Sequence, residues 1–252
     1  LLALRYLVSI PALLLVLRLR RALKPVDRRD WPILFAIGFT GYFASFCLQM
    51  LGIDRLTGSL SSLLGAMNPI FIPILAALFL RERITLSKIA CVALSMLGVV
   101  VIVGVGGTAD AAGVLMMLVS VFLWSTASII IRRISGRYDP MQIALIAICC
   151  ALPLTGAWSL IELQNAACSF SAQSVLAVLY MGIFGTAVTH SLWNYSLRVM
   201  DASFCSMFYP MQPLVSAILG VLFLHETVTP SFILGALMIC GGIVAAVKSA
   251  PK

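Results

Sequence analysis

The fold of this chain is decided by residues 68–98, which read NPIFIPILAALFLRERITLSKIACVALSMLG. The same pattern returns 144 positions later, at residues 212–242, as QPLVSAILGVLFLHETVTPSFILGALMICGG. The match extends without a gap over Gly38–Val103 and Gly182–Val247, where 19 of 66 aligned residues are identical. Composition alone would give roughly six identities. A long internal repeat in an apolar chain is typical of a transporter built from two related halves.

Composition indicates that lipid is the solvent of this chain. Hydrophobic residues make up 62% of the sequence and charged residues 10%, with a mean hydropathy of +1.09. Soluble domains are about 45–50% apolar and about 25% charged. The net charge of +8 comes from short basic clusters between apolar runs. This arrangement is typical of membrane topology, and we expect no nucleic-acid partner.

The seven cysteines are interpreted as small apolar side chains. No C-x-x-C pair is present, and no histidine cluster accompanies the adjacent Cys149 and Cys150. Six of the seven lie in apolar runs, whereas Cys168 lies in a connection. We therefore expect neither disulfides nor a metal site, and no cofactor.

Nine apolar runs are long enough to cross a bilayer as helices, which takes about 17–25 residues. They cover approximately residues 2–17, 31–53, 58–80, 86–105, 111–131, 140–161, 173–195, 202–224 and 230–247. The connections between them are short. The sequence therefore predicts an all-α, polytopic membrane bundle without a separate soluble domain.

The basic residues predict an orientation for this bundle. Placing the connections after the first, third, fifth, seventh and ninth runs on one side collects 15 of the 17 Lys and Arg residues there. Only Arg5 and Arg55 fall on the opposite side. Cations near helix ends are costly to translocate, so the basic side is cytoplasmic. We predict a multi-pass protein of the bacterial inner (plasma) membrane with a cytoplasmic C-terminus.

In this topology the two copies of the repeat face opposite ways. The hairpin at Arg81–Lys88 is inside, whereas its counterpart at residues 225–232 is outside and has lost all three cations. Such a pair is typical of an inverted-topology repeat. The predicted halves are residues 1–105 and 111–247.

The repeat also predicts a tenth span. The run at residues 111–131 would have its counterpart before residue 1, and Pro153 matches Pro11 only roughly. We expect five helices per half, ten in all, with most of the first helix absent from this chain. A protein of nine spans is the alternative.

The doubled pattern resembles the EamA family of the drug/metabolite transporter superfamily. The residues that carry the resemblance are Pro69, Leu80, Glu82, Thr85 and Gly98, repeated as Pro213, Leu224, Glu226, Thr229 and Gly242. Supporting matches are Arg5, Trp124 and the pair Arg132-Arg133. The resemblance covers essentially the whole chain.

The resemblance implies ten helices in two inverted halves around a central cavity. It also implies transport of amino acids, metabolites or drugs, often outward. In related small exporters the first helix can carry a carboxylate that couples protons to cationic substrates. A proton-coupled drug exporter is therefore one alternative, and a nucleotide-sugar or phosphate-ester exchanger of the same superfamily is another.

Polar residues inside the runs are the candidates for substrate contact, because polar groups in a bilayer usually face the bundle interior. The candidates are Tyr42, Gln49, Asn68, Trp124, His190, Trp193, Asn194, Tyr209 and Gln212. Their hydroxyl, amide and aromatic groups suit an organic solute of moderate polarity. The predicted function is transport, by alternating access, of a small solute such as an amino acid or related metabolite.

Asn68 and Gln212 are the best-supported of these candidates, because they coincide in the repeat and each precedes a proline. Ser61, Gly65 and Asn68 share one helical face, and Cys205, Tyr209 and Gln212 occupy the corresponding face of the second copy. Proline frees backbone carbonyls within a helix. The alternative role for the two amides is to bridge neighbouring helices.

Several other residues have a structural interpretation beside a functional one. Trp193 is either a substrate contact or an interfacial anchor. For His190 a helix-packing hydrogen bond is favoured over a protonation switch. Arg5 is expected to extend to the interface, with pairing to a substrate carboxylate as the alternative.

The repeated carboxylates and glycines are assigned to structure. Glu82 and Glu226 are each expected to cap the helix that follows, beside Thr85 or Thr229. Gly98, Gly241 and Gly242 are expected to permit close helix approach.

The residues that are absent exclude other classes of protein. All nine acidic residues lie at or beyond the ends of the runs, and no phosphate-binding G-x-x-x-x-G-K-[ST] loop occurs. A membrane enzyme is therefore disfavoured, and the polar faces repeated in both halves disfavour a purely structural protein. The expected partners are a small-molecule substrate and the lipid bilayer, with a homodimer left open.

Overall fold

The computed structural model describes residues 1–56, 58–103, 110–163, 171–224 and 230–248. These residues form α-helices and two π-helical segments, with no strand among them. The predicted all-α fold class is therefore confirmed. Glu226, Thr229 and Cys168 lie outside the described residues.

Among the described residues, the first part of the chain forms six α-helices. They are α1 (Leu2–Leu19), α2 (Trp31–Ile37), α3 (Phe46–Ile53), α4 (Gly58–Gly65), α5 (Asn68–Leu80) and α6 (Leu86–Val103). A π-helical segment at Gly38–Ser45, the first π-segment, connects α2 to α3.

The described residues of the second part form seven α-helices. They are α7 (Ala111–Ile134), α8 (Pro140–Leu163), α9 (Ala172–Gly182), α10 (Thr189–Val199), α11 (Ala202–Ser206), α12 (Met211–Leu224) and α13 (Pro230–Lys248). The second π-segment, Ile183–Val188, connects α9 to α10. It stands 144 positions after residues 39–44, so both copies of the repeat contain a π-segment at the same place.

Six helical stretches of the described chain are long and apolar enough to cross a membrane. They are Leu2–Leu19, Trp31–Ile53, Leu60–Leu80, Ala111–Ile134, Pro140–Ile161 and Ala172–Val199. Shorter apolar helices cover Leu86–Val101 and Ile233–Ala245. The protein is thus built for multiple membrane crossings, whereas the count of nine or ten spans stays a prediction.

The chain divides into two compact units, and each combines segments of both sequence repeats. The first unit is Leu1–Ala44 with Ile130–Met200, and the second is Ser45–Ile129 with Asp201–Lys252. This division differs from the predicted halves at residues 1–105 and 111–247, which rest on sequence similarity.

In the first unit, two glycines bring helices close together. A Cβ atom at Gly38 would lie 2.6 Å from the carbonyl oxygen of Ala147, and one at Gly182 would lie 3.1 Å from that of Arg5. Gly182 is the counterpart of Gly38 in the repeat. Ala147 stands 142 positions after Arg5, the offset that also separates Pro11 from Pro153. The two close approaches are therefore related by the repeat.

In the second unit, α6 and α13 pack along most of their length. A Cβ atom at Gly98 would lie 2.7 Å from the carbonyl oxygen of Gly235, and one at Gly242 would lie 2.9 Å from that of Cys91. Cys91 on α6 is thus next to Gly242 on α13, and the later residue Gly98 is next to the earlier residue Gly235. The two helices therefore run antiparallel. The expectation of close approach fails for Gly241, because a Cβ atom there would meet nothing within 4 Å.

Corresponding helical runs of the two repeats, residues 58–80 and 202–224, are each broken in the second unit. The break lies at residues 66–67 between α4 and α5, and at residues 207–210 between α11 and α12. Pro69 stands in the first turn of α5, where its missing N–H has no helical partner to lose. Ala66 and Leu214, next to the two breaks, pack with Val99 and Ile239 in one apolar cluster.

The prediction that Glu82 caps the helix that follows it is wrong. Its carboxylate accepts hydrogen bonds from the backbone N–H groups of Ala202 and Ser203, at 2.9 and 3.1 Å, and from the Ser203 hydroxyl at 2.6 Å. It therefore caps α11 instead of the helix that follows it in sequence. Tertiary contact decides this choice, because Ala202 and Ser203 are 120 and 121 positions away.

Candidate functional site

The break between α4 and α5 places Asn68 in a buried polar position. Asn68 is the first residue of α5, and its side-chain amide donates to the carbonyl oxygen of Gly65 at 3.1 Å. Its side-chain oxygen accepts from the Ser125 hydroxyl on α7 at 3.2 Å. The break therefore leaves the carbonyl of Gly65 free to accept a hydrogen bond from the Asn68 side chain. The same side chain also connects α5 to α7.

The break between α11 and α12 places Tyr209 against the same helix. The indole N–H of Trp124 on α7 donates a hydrogen bond to the Tyr209 hydroxyl. The ring of Phe46 meets Trp124 edge-on, with centroids 5.8 Å apart. Because Trp124 and Ser125 are consecutive, α7 contacts the residues at both breaks.

We call Asn68, Trp124, Ser125 and Tyr209 the break cluster. Ser61, on α4, is also buried, and its hydroxyl has no hydrogen-bond partner among the described residues. Buried polar groups without a partner are rare in proteins. The cluster therefore offers an amide, hydroxyls and an aromatic face to a polar organic ligand.

Three other predicted residues come together in the first unit. The rings of Tyr42 and His190 lie 4.9 Å apart, and both residues are buried. The Asn194 side chain faces the Tyr42 hydroxyl and donates to the carbonyl oxygen of Pro140 at 3.2 Å. His190 Nδ1 lies 2.8 Å from the carbonyl oxygen of Thr186, four residues earlier in the same helical run, so a hydrogen bond of His190 to another helix stays a prediction.

The two π-segments are a feature that the sequence reasoning missed. In a π-helix the backbone hydrogen bonds span five residues, and such segments are frequent at functional sites. The carbonyl of Tyr42 in the first π-segment accepts from the Tyr6 hydroxyl, and the corresponding carbonyl of Thr186 faces His190. The pairs Gly38/Gly41 and Gly182/Gly185, identical in the two copies, are the signal that could have indicated them.

Arg5 adopts a position that contradicts the expected extension to the interface. Only 9% of its surface is exposed, and its guanidinium donates to the Thr186 hydroxyl at 3.2 Å and to the carbonyl oxygen of Gly185 at 3.3 Å. These acceptors belong to the second π-segment, so the arginine points into the first unit.

The remaining candidates stand apart from these groups. Gln49 is half-buried and Gln212 is exposed, and neither side chain has a hydrogen-bond partner within the described ranges. Trp193 is half-buried. Asn68 and Gln212 therefore have different surroundings. Their equivalent role in substrate contact stays a prediction.

Two acidic residues outside the spans have perturbed titration. The Tyr138 hydroxyl and the Arg137 guanidinium donate to Asp30 at 2.8 and 2.7 Å, and they hold its pKa below the ordinary value. The backbone N–H of Ala112 and the Arg55 side chain lower the pKa of Asp110. Both carboxylates serve as structural anchors of connections. The described residues contain no group of three or more potential metal ligands.

Comparison with known proteins gives a consistent result. The model of the EamA-like transporter family matches residues 1–104 and 111–248. An uncharacterized transporter of Archaeoglobus fulgidus is 27% identical over 226 residues, covering 89% of this chain and 80% of its own. The uncharacterized transporter YvbV of Bacillus subtilis is 25% identical, covering 92% and 76%.

Two further similarities concern function and fold separately. A protein of Streptantibioticus cattleyicolor, described as a "Probable terminal-alkyne amino-acid exporter", is 26% identical over 85% of this chain and 72% of its own. A crystal structure superposes with a TM-score of 0.86 at 20% identity, covering 99% of this chain and 88% of the other. The latter supports the helical fold alone.

Proposed function

Because the chain belongs to the EamA-like transporter family, we propose that it exports a small organic solute, such as an amino acid or related metabolite. Its relatives are transporters, so the proposed activity is movement of a solute without chemical change. The 26% identity to the relative described as a "Probable terminal-alkyne amino-acid exporter" favours that solute class. The proposed location is a bacterial inner membrane, with the C-terminus in the cytoplasm.

The observation that carries this proposal is the pair of broken helices that contact α7. Transporters commonly bind their substrates where membrane helices are interrupted, because the free backbone groups there provide polar contacts. Asn68 and Tyr209 mark the two breaks, and Ser125 and Trp124 bind them from α7. A solute that enters this cluster can replace either hydrogen bond.

The proposed mechanism is alternating access by two inverted repeats. The antiparallel packing of α6 against α13 supports the inversion, because equivalent helices of an inverted pair must run in opposite directions. The solute would bind more tightly to an intermediate, closed conformation than to either open conformation. A ligand can drive a conformational change only through such a difference in affinity. Asn68 and Tyr209 are the proposed contacts, and Trp124 is the proposed aromatic wall.

The test is transport by purified protein in proteoliposomes. The probe is a mixture of the twenty proteinogenic amino acids, followed by mass spectrometry. Tyr209→Phe and Ser125→Ala each remove one hydrogen-bonding group, and we expect each to raise the half-saturating concentration about 5–10-fold. Tyr195→Phe is the matched control, since Tyr195 is exposed.

Two outcomes would contradict the proposal. One is a wild-type protein that transports none of the amino acids. The other is unchanged kinetics in both variants, which would remove the break cluster from the site. Transport of phosphorylated solutes in a parallel assay would instead favour the exchanger alternative.

A further inference from the structure

Arg5 is a buried cation in a membrane-spanning helix, and its contacts are neutral. It lies within the apolar stretch Leu2–Leu19 and is 9% exposed. Its two hydrogen bonds go to a hydroxyl and a carbonyl oxygen. None of the ion pairs found among the described residues includes it.

Such a cation is costly unless an anion accompanies it. Removing an ion from water is costly even after relaxation, and neutral dipoles offset only part of this cost. Ionisable residues inside a membrane accordingly tend to mark substrate or ion pathways. The burial of Arg5 therefore points to a negatively charged ligand that is present for part of the transport cycle.

The guanidinium has donors available for that ligand. It carries five N–H donors in a planar fork that matches the two oxygens of a carboxylate. The contacts to Thr186 and Gly185 are formed by Nε and Nη2 and fix the plane of the group. These contacts hold one edge of the guanidinium in place. The side chain therefore loses less conformational entropy when its remaining N–H groups bind a carboxylate.

The guanidinium lies beside a glycine. A Cβ atom built at Gly185 would be in ordinary van der Waals contact with Arg5 Nη2, at 3.8 Å, and with Met181 Cβ, at 3.9 Å. The neighbouring Tyr42, Thr186 and His190 provide no carboxylate that would compete for the cation.

We propose that Arg5, at a position within the first unit, binds the carboxylate of the solute during part of the transport cycle and thereby restricts the protein to organic acids and amino acids. This inference rests on the proposed transport function and adds a specificity-determining residue to it. The solute class it selects is small molecules with a free carboxylate, as opposed to amines or neutral compounds of the same shape.

The experiment compares two matched mixtures in proteoliposomes: the proteinogenic amino acids and the corresponding amino-acid amides. The amides keep the size and the ammonium group but lack the negative charge. We expect the wild type to transport acids at least about tenfold faster than amides, because loss of a buried charged partner carries a large penalty. Arg5→Met should lower acid transport about 100-fold and leave amide transport within about threefold.

Two further variants separate charge recognition from a structural role. Arg5→Lys keeps the charge but loses the planar fork, so we expect a reduced preference for acids that is still measurable. Arg132→Met is the matched control. Arg132 also donates to backbone carbonyl oxygens in the first unit, those of Leu197 and Arg198, and its removal should leave the ratio of acid to amide transport unchanged.

The outcomes distinguish this inference from the proposed function. If the wild type transports both mixtures equally, or if Arg5→Met lowers both by the same factor, Arg5 is a structural residue and the inference is wrong while transport stands. If the wild type transports neither mixture, the proposed function fails and this inference fails with it. A shift in the acid-to-amide ratio confined to the Arg5 variants supports it.

Discussion

Gly98 and Gly242 occupy equivalent positions in the repeat and make reciprocal contacts. Gly98 on α6 lies against the carbonyl of Gly235 on α13, and Gly242 on α13 lies against the carbonyl of Cys91 on α6. Gly235 is itself the counterpart of Cys91, at the same shift of 144. The contact therefore maps onto itself when the two copies are exchanged, as a local twofold relationship requires.

Replacing either of these glycines should destabilise the helix pair. A methyl group at Gly98 would lie 2.7 Å from a backbone oxygen, and the helices must move apart to admit it. We expect Gly98→Ala and Gly242→Ala each to cost about 1–3 kcal/mol, measured as a lower midpoint of thermal unfolding in detergent. Gly241→Ala is the matched control, because its Cβ atom meets nothing within 4 Å. Equal midpoints for Gly98→Ala and Gly241→Ala would contradict this packing.

The capping of α11 by Glu82 should be a measurable source of stability. Glu82 accepts three hydrogen bonds from Ala202 and Ser203, and bonds to a charged acceptor contribute about 1.5–3 kcal/mol each. We expect Glu82→Ala to lower the unfolding midpoint by several degrees, and Ser203→Ala to lower it by less. The exposed Asp54 provides a control, Asp54→Ala. A loss no greater than that of the control would show that the cap is not formed.

The Asp30 cluster should make stability depend on pH. Tyr138 and Arg137 lower the pKa of Asp30, so folding favours its ionised form. That contribution is complete above the unfolded pKa, about 3.9, and disappears as the pH falls through the lower folded value. The gap in unfolding midpoint between wild type and Asp30→Asn should therefore be constant from about pH 7 to 5 and close below about pH 4. A gap that widens towards acid would mean that the sign of the pKa shift is wrong.

The sequence predicted the helical class and the family because both depend on patterns along the chain. Apolar runs separated by basic clusters indicate helices in lipid. The repeated pattern that includes Pro69 and Glu82 resembles the EamA family, and the match to that family's model confirms the resemblance. Pro69 indicated free backbone carbonyls within one helix, although not that the run divides into α4 and α5. Such features are local and need no knowledge of tertiary contacts.

The features that the sequence did not reveal depend on long-range packing. Glu82 caps a helix that begins 120 positions later, and Arg5 is buried because Thr186 and Gly185 approach it from 181 and 180 positions away. The π-segments break the ordinary helical period without changing composition. Trp124 and Tyr209 likewise contact each other although they are 85 positions apart. The sequence indicated both as polar candidates for substrate contact, but not the hydrogen bond between them.

The inverted topology is the claim on which the transport mechanism depends, and site-directed labelling tests it most directly. Arg83→Cys and Thr227→Cys would be introduced singly into a cysteine-free variant and treated with a membrane-impermeant maleimide in intact cells and in permeabilised cells. We predict that the cysteine at position 227 reacts in intact cells, whereas the one at position 83 reacts only after permeabilisation. Labelling of both positions from the same side of the membrane would contradict the inverted repeat and the alternating-access mechanism built on it.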